Sequence, residues 1–263
     1  SAYAMLYRFG QVFKTIEKDG FKIDKKIYSI VEGDNLTTMA KSTGLSITEL
    51  STYFENSRPD IVVVIADRFE NLAVAIAASY MNIPVAHIQG GEVTGSIDEK
   101  VRHAITKLSN IHFVSTERAK KFVINMGEDP KTVFKTGCPS IDIAKKFSKK
   151  TSDKQIDKIL LHKGDEGFYF KNRKFIVVLQ HPVTTEFTQI YNQIKGTLDA
   201  VVELKKKKIN VVWLWPNVDA GSDELSKQIR IANVKSRIPH VKLYKNFTPE
   251  NYIRLINNSL CII

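Results

Sequence analysis

Three apolar runs of different texture, set between bursts of charge, constrain this chain more than any other feature. Ile61 to Ile65 is an unbroken β-branched run, Leu72 to Tyr80 is rich in alanine, and Ile83 to Ile88 is apolar again. The first and third predict strands, the first expected to be buried on both faces, and the alanine-rich stretch predicts a helix. Strand, helix and strand at this spacing read as a βαβ unit with parallel strands. Ligands of such sheets sit beyond the carboxyl ends of the strands. The sequence places charge there: Asp67-Arg68 after the first strand, His87 and Gln89-Gly90-Gly91-Glu92 at the second, then Asp98, Arg102 and His103. Taken alone, Asp67 reads equally as a helix cap and the glycine pair as a turn. Two bursts at adjacent strand ends read as a site.

The alternation continues on both sides. Residues 2–19 place Met5, Leu6, Phe9, Val12, Phe13 and Ile16 on one helical face, and Asp19-Gly20 ends the pattern. A short strand is expected at Ile27–Val31, with two helices at Thr37–Lys41 and Ser46–Asn56. After the central unit come a helix from Asp98, a strand at Ile111–Ser115, a helix at Glu117–Met126 and a strand at Val133–Thr136. Residues 151–172 carry lysines, Asp165-Glu166 and Gly167 with weak periodicity, and read as a linker. Beyond it the alternation resumes with strands at Phe175–Leu179, Asn210–Trp215, Val241–Tyr244 and Leu260–Ile263, and with helices between them. The fold class expected is α/β, with two Rossmann-like domains facing a cleft and parallel sheets. The N-terminal domain spans 1–150 and the C-terminal one 173–263. Each lacks a part: the first opens on a helix instead of a strand, and the second stops where a ligand loop is expected to begin.

Composition narrows the function classes. A chain of 263 residues that is 43% hydrophobic buries a sizeable core. No apolar run approaches the ~20 residues of a membrane span, so no membrane partner is expected. The N-terminus lacks the pattern of a signal peptide, and Cys138 and Cys261 are too far apart in sequence to suggest a disulfide scaffold or a metal site. A cytoplasmic location and no metal are the expectations. The net charge of +11 comes largely from lysine runs such as Lys205 to Lys208, with no interleaved aromatic residues. They read as solvated surface, and no nucleic-acid partner is expected. The same charge favours the approach of an anionic ligand.

The runs Asp67-Arg68-Phe69-Glu70, His87 through Glu99 (His-Ile-Gln-Gly-Gly-Glu-Val-Thr-Gly-Ser-Ile-Asp-Glu) and Val101 through Leu108 resemble the hydrolysing UDP-N-acetylglucosamine 2-epimerases of sialic and legionaminic acid biosynthesis. Further matches stand at Gly137-Cys138-Pro139-Ser140, at Leu179 through Glu186, and at Trp215 through Ser222, so the resemblance covers nearly the whole chain. It implies a GT-B-like fold with the C-terminal domain as the nucleotide-binding one, a UDP-sugar substrate, UDP as a product and a homo-oligomer. It also implies chemistry without a cofactor: a base takes the proton from C2 while UDP leaves C1, and water adds to the resulting glycal. Against the family pattern the chain lacks the opening strand with its basic nucleotide contact, and the diphosphate-binding turn expected after the last strand.

Residue roles follow from the resemblance. Asp67 and Asp98 match positions assigned to proton transfer. Arg68 matches a residue near the nucleotide, with a donor fork suited to phosphate. His181 matches a histidine facing the diphosphate from the second domain, alongside Thr184; Asn217 and Asp219 match a turn that reads uracil or ribose. Arg102 and His103 read as orienting or contacting groups. Many relatives carry Glu where this chain has Gln89, and an amide does not shuttle protons. Either Gln89 positions the substrate while Glu92 or Asp98 supplies the second carboxylate, or a bound water is the acid. Two other classes share the scaffold: a GT-B glycosyltransferase, which needs an acceptor, and a UDP-binding module without turnover.

Overall fold

The computed structural model describes all residues except 1, 7–10, 34, 96, 150, 162–173, 184–185, 187–188, 217–220 and 235–239. The chain divides into two units, Ser1–Cys138 and Pro139–Ile263. Both are α/β with parallel sheets. The division falls ahead of the expected boundary at 150.

In the first unit, strands β1 (Val62–Ile65), β2 (Val85–Ile88), β3 (Ile111–Val114) and β4 (Val133–Lys135) lie in sequence order. Register places Val64, His87, His112 and Val133 in one row, and all four are buried. Helices α3 (Phe69–Tyr80), α4 (Ile97–Leu108) and α5 (Glu117–Asn125) supply that face with Ala73, Ala77, Ile105, Ala119 and Val123. The row on the opposite face, Ile65, Ile88, Phe113 and Phe134, is uncovered at its ends, Ile65 and Phe134 each being 47% exposed. β1 is therefore not buried on both faces as its sequence suggested. Val62 and Val64 are buried, whereas Val63 and Ile65 are exposed, because β1 is an edge strand and, among the described residues, helices pack on the Val62 and Val64 side.

The N-terminal third departs most from expectation. Instead of one helix over 2–19 there is a 3-10 turn at Ala2–Met5 and a short helix α1 (Phe13–Lys18), with Gln11 at φ 50 ahead of it. Residues 27–31 form no strand: Val31 N–H donates to Ser42 Oγ at 2.9 Å, and Ser29 Oγ lies 2.6 Å from Ser46 Oγ, so this segment is strapped to helix side chains. The two helices expected over 37–56 are one, α2 (Leu36–Ser57), capped by Asn35. Ser42, Thr43 and Ser51 turn their hydroxyls back onto carbonyls four residues earlier, a bond pattern that a continuous helix accommodates at a small cost.

In the second unit β5 (Phe175–Val178), β6 (Asn210–Leu214) and β7 (Val241–Tyr244) are adjacent in that order. The chain end runs beside β5, with Val177 N–H donating to the Cys261 carbonyl at 3.1 Å. This sheet is covered on both sides. Helices α8 (Ile190–Leu204) and α9 (Ser222–Val234) pack on Ile176, Val178, Val211 and Trp213. Residues of α7 (Asp153–Leu160) and α10 (Pro249–Asn258) pack on Phe175, Val177, Leu214 and Tyr244. α6 (Pro139–Phe147) lies against α10. The first part of the expected linker is thus a core helix: Ile156 and Leu160 of α7 are buried, and Tyr244 Oη donates to the Leu160 carbonyl at 2.7 Å. Among the described residues no helix is long and apolar enough to cross a membrane.

Candidate active site

Parallel strands bring their carboxyl ends to one edge of the first sheet. The residue directly after β1, Ala66, has φ 60, and the residue directly after β2, Gln89, has φ 65. Neither is glycine, so each conformation costs about 1–2 kcal/mol and is held by its surroundings. Main-chain bonds do the holding. Ala66 N–H donates to Ile88 O at 2.9 Å and Gln89 N–H to Phe113 O at 2.8 Å. The Ala66 carbonyl accepts from His87 Nε2 at 2.9 Å.

His87 stands inside one of the charged bursts, yet it is fully buried and belongs to the scaffold. Its Nδ1 lies 3.1 Å from Thr106 Oγ1 on α4. Burial lowers its pKa to about 4, against the pull of the Ala66 carbonyl, so the ring is neutral at physiological pH.

The glycine pair after Gln89 serves close approach as well as turning. A Cβ on Gly91, at φ 80, would lie 2.4 Å from the Ala119 carbonyl, and one on Gly90 would lie 2.9 Å from His87 Nδ1. The loop is thereby pressed between β2, α4 and α5.

Onto this edge α4 projects its charged residues. Arg102, 4% exposed, donates Nη2 to the Asp67 carboxylate and Nη1 to the Glu92 carbonyl at 2.6 Å. One side chain thus joins the tip of β1 to the loop after β2. Asp98 lies one helical turn before Arg102 and so shares its face of α4. Glu99 accepts two backbone N–H bonds on one oxygen, from Gly95 at 2.6 Å and Thr94 at 2.7 Å, and these bonds hold its carboxyl below the ordinary carboxylate range. Arg68 lies with Nε 3.6 Å from Glu70 and its guanidinium over the Phe69 ring.

The structure therefore brings Asp67, Arg102 and the main chain of Glu92 together, with Asp98 on the adjoining turn of α4. His103 is engaged elsewhere: Nε2 stands 3.7 Å from Glu99 Oε1 and the ring stacks on Phe122. The Gln89 amide donates to Cys138 Sγ at 3.0 Å, tying the tip of β2 to the last residue of the first unit. Sequence reasoning assigned no role to Cys138 or Glu99. It also passed over Ser115, directly after β3, whose buried hydroxyl has no hydrogen-bond partner among the described residues. A polar residue at the end of a third parallel strand was the available signal.

In the second unit His181 is exposed, three residues past β5. Thr184, Asn217 and Asp219 lie outside the described residues. Gly221, at φ 97, precedes α9 and approaches Ile190 so closely that a Cβ would meet it at 2.0 Å.

Two α/β units with parallel sheets define a protein of the Rossmann-like, GT-B-like class. Within it, the chain belongs to the UDP-N-acetylglucosamine 2-epimerase family, whose model matches residues 2–263. It is 33% identical over 253 residues to the hydrolysing UDP-N,N'-diacetylbacillosamine 2-epimerase of Legionella pneumophila, covering 95% of this chain and 63% of that protein. It is also 33% identical over 257 residues to the hydrolysing GDP/UDP-N,N'-diacetylbacillosamine 2-epimerase of Campylobacter jejuni, covering 97% and 64%. Its fold is shared with the UDP-GlcNAc 2-epimerase of Neisseria meningitidis bound to UDP-GlcNAc, at a TM-score of 0.73 and 22% identity over 95% of this chain and 66% of that one. The Methanocaldococcus jannaschii UDP-GlcNAc 2-epimerase in complex with UDP-GlcNAc and UDP has a TM-score of 0.70 at 19% identity, covering 94% and 65%. The chain spans just under two thirds of the length of these relatives.

Proposed function

We propose that the complete protein is a cytoplasmic hydrolysing UDP-sugar 2-epimerase that supplies a free 2-epimeric amino sugar for nonulosonate synthesis. The observation that carries the reading is the Arg102 bridge from Asp67 to the Glu92 carbonyl, with Asp98 one turn away. Elimination of UDP from a 2-acetamido sugar requires a carboxylate to take the C2 proton while the C1–O bond to UDP breaks. Hydration of the glycal then returns a proton to C2 on the opposite face, as hydroxide adds at C1. Asp67 and Asp98 carry these proton transfers, with Glu92 beside them. Arg102 holds Asp67 in place, and Gln89 positions the sugar through its amide. The nucleotide contacts proposed from the family pattern are Arg68, His181, Thr184, Asn217 and Asp219. His103 acts through Glu99.

The names of the two relatives at 33% identity support a 2,4-diacetamido-6-deoxy hexose as the sugar, ahead of N-acetylglucosamine. The protein is taken to act as a homo-oligomer. Full-length protein is to be incubated with each UDP-sugar in heavy water and the product read by NMR. Release of UDP with a free 2-epimer bearing deuterium at C2 is the expected result. Turnover only with an added sugar acceptor overturns the reading in favour of a transferase, and UDP binding without turnover overturns it in favour of a binding module.

A further inference from the structure

Glu99 follows Asp98 on α4 and has no part in the proton transfers, yet it makes two short hydrogen bonds beside them. Thr94 and Gly95 both direct their amides at the same oxygen, Oε2, at 2.7 and 2.6 Å. Two N–H donors converging on one ionised oxygen form a strong, directional clamp. Three residues along the helix, Arg102 holds the other end of the same loop through the Glu92 carbonyl at 2.6 Å. The loop is therefore fastened to α4 at two points, with exposed Val93 between them. Thr94 and Gly95 are themselves exposed, and Gly95 sits at φ 74 with open space around it. Nothing apolar is buried by fixing this turn, so the clamp adds little to the core. What it fixes is the separation of Glu92, at the start of the loop, from Asp98, at its end. The second oxygen, Oε1, faces His103 Nε2 at 3.7 Å, and His103 in turn stacks on Phe122 of α5, which braces the clamp from behind.

We infer that Glu99 is a positioning residue: it fastens the loop after β2 to α4, so that the carboxylates of Glu92 and Asp98 hold a fixed geometry around the reacting sugar. The kinetic part of this inference rests on the epimerase reading. The clamp itself does not.

The test compares full-length wild type with Glu99→Ala and Glu99→Gln, by site-resolved amide exchange and by steady-state kinetics with a UDP-sugar. In Glu99→Ala, exchange at Thr94 and Gly95 rises about tenfold while amides in the middle of α4 keep their protection. Its kcat falls about 10- to 100-fold, as expected of small misplacement, with KM and the thermal midpoint nearly unchanged. Glu99→Gln keeps a carbonyl acceptor and recovers most of both losses. Unchanged exchange at the two amides in Glu99→Ala overturns the inference. So does an unchanged kcat once those amides are freed, or a Gln variant no better than Ala. A wild type inactive on every UDP-sugar overturns the epimerase reading instead, and the exchange arm then decides the clamp alone.

Discussion

Arg102 and Asp67 stand 35 residues apart in sequence, and the guanidinium of one meets the carboxylate of the other. The contact joins a helix to the tip of an edge strand, and the other arm of Arg102 takes the Glu92 carbonyl. With its side chain 5% exposed, Arg102 has little water to fall back on, so its charge depends on these acceptors. Asp67 in return has its orientation set by a planar donor.

A lysine at position 102 keeps the charge and loses the fork that spans two acceptors. Arg102→Lys is expected to lower kcat by about 10²-fold and stability by about 1–3 kcal/mol. Kinetics and urea unfolding measure the two. A variant with near-normal turnover removes Arg102 as the group that orients Asp67.

Asp67→Asn and Asp98→Asn separate chemistry from binding. Each substitution preserves shape and removes the proton-transfer group, so each is expected to abolish turnover, about 10²-fold or more, and to leave UDP affinity within a few-fold. Calorimetry with UDP and a turnover assay check both. A normal rate in either variant takes that residue out of the mechanism.

The buried histidine predicts an acid limit to stability. The His87 pKa is lowered from 6.5 to about 4, so between these values the unfolded chain binds a proton that the folded chain does not. Stability from this source is complete above pH 6.5 and is lost as pH falls toward 4, by roughly 3 kcal/mol in all. His112 and His240 are lowered by burial too and act in the same direction. Urea unfolding followed from pH 7 to 4 is expected to show this slope, and His87→Gln to flatten it. Identical slopes for variant and wild type contradict the assignment.

Two glycines in one loop are expected to respond differently. A Cβ at Gly91 meets the Ala119 carbonyl at 2.4 Å as well as an unfavourable φ of 80, whereas Gly95, at φ 74, has nothing within 4 Å. Gly91→Ala is expected to cost about 2–4 kcal/mol and Gly95→Ala about 1 kcal/mol. Equal losses in denaturant unfolding contradict the close approach to α5.

The central βαβ unit was legible because β-branched and alanine-rich runs differ in periodicity, and because parallel topology fixes which strand ends meet. Asp67 and Glu92 could be grouped on that ground alone. The uncovered side of β1 was not legible: Val63 and Ile65 read as core because composition does not say whether a second layer is present. Helix α2 read as two helices, whereas Ser42 and Thr43 between the two ranges bond their hydroxyls back along one continuous helix. Helix α7 had a signal that was passed over, since Ile156 and Leu160 are four apart behind the Ser152–Gln155 capping box. The clamp at Glu99 depends on where a loop's amides point, which residue types do not encode. His103 read as either an orienting or a contacting group, because residue type and helix position do not say which way a ring leans; its neighbours are Glu99 and Phe122.

The left-handed backbone at Gln89 is held by a main-chain bond to Phe113, while its side-chain amide reaches Cys138. Position 89 is therefore a socket whose fitting is interchangeable: amide, acid or imidazole mounted there starts from the same Cα and leaves along the same Cβ direction. A single substitution there exchanges the functional group and releases Cys138, while the bond that sets the direction of departure remains.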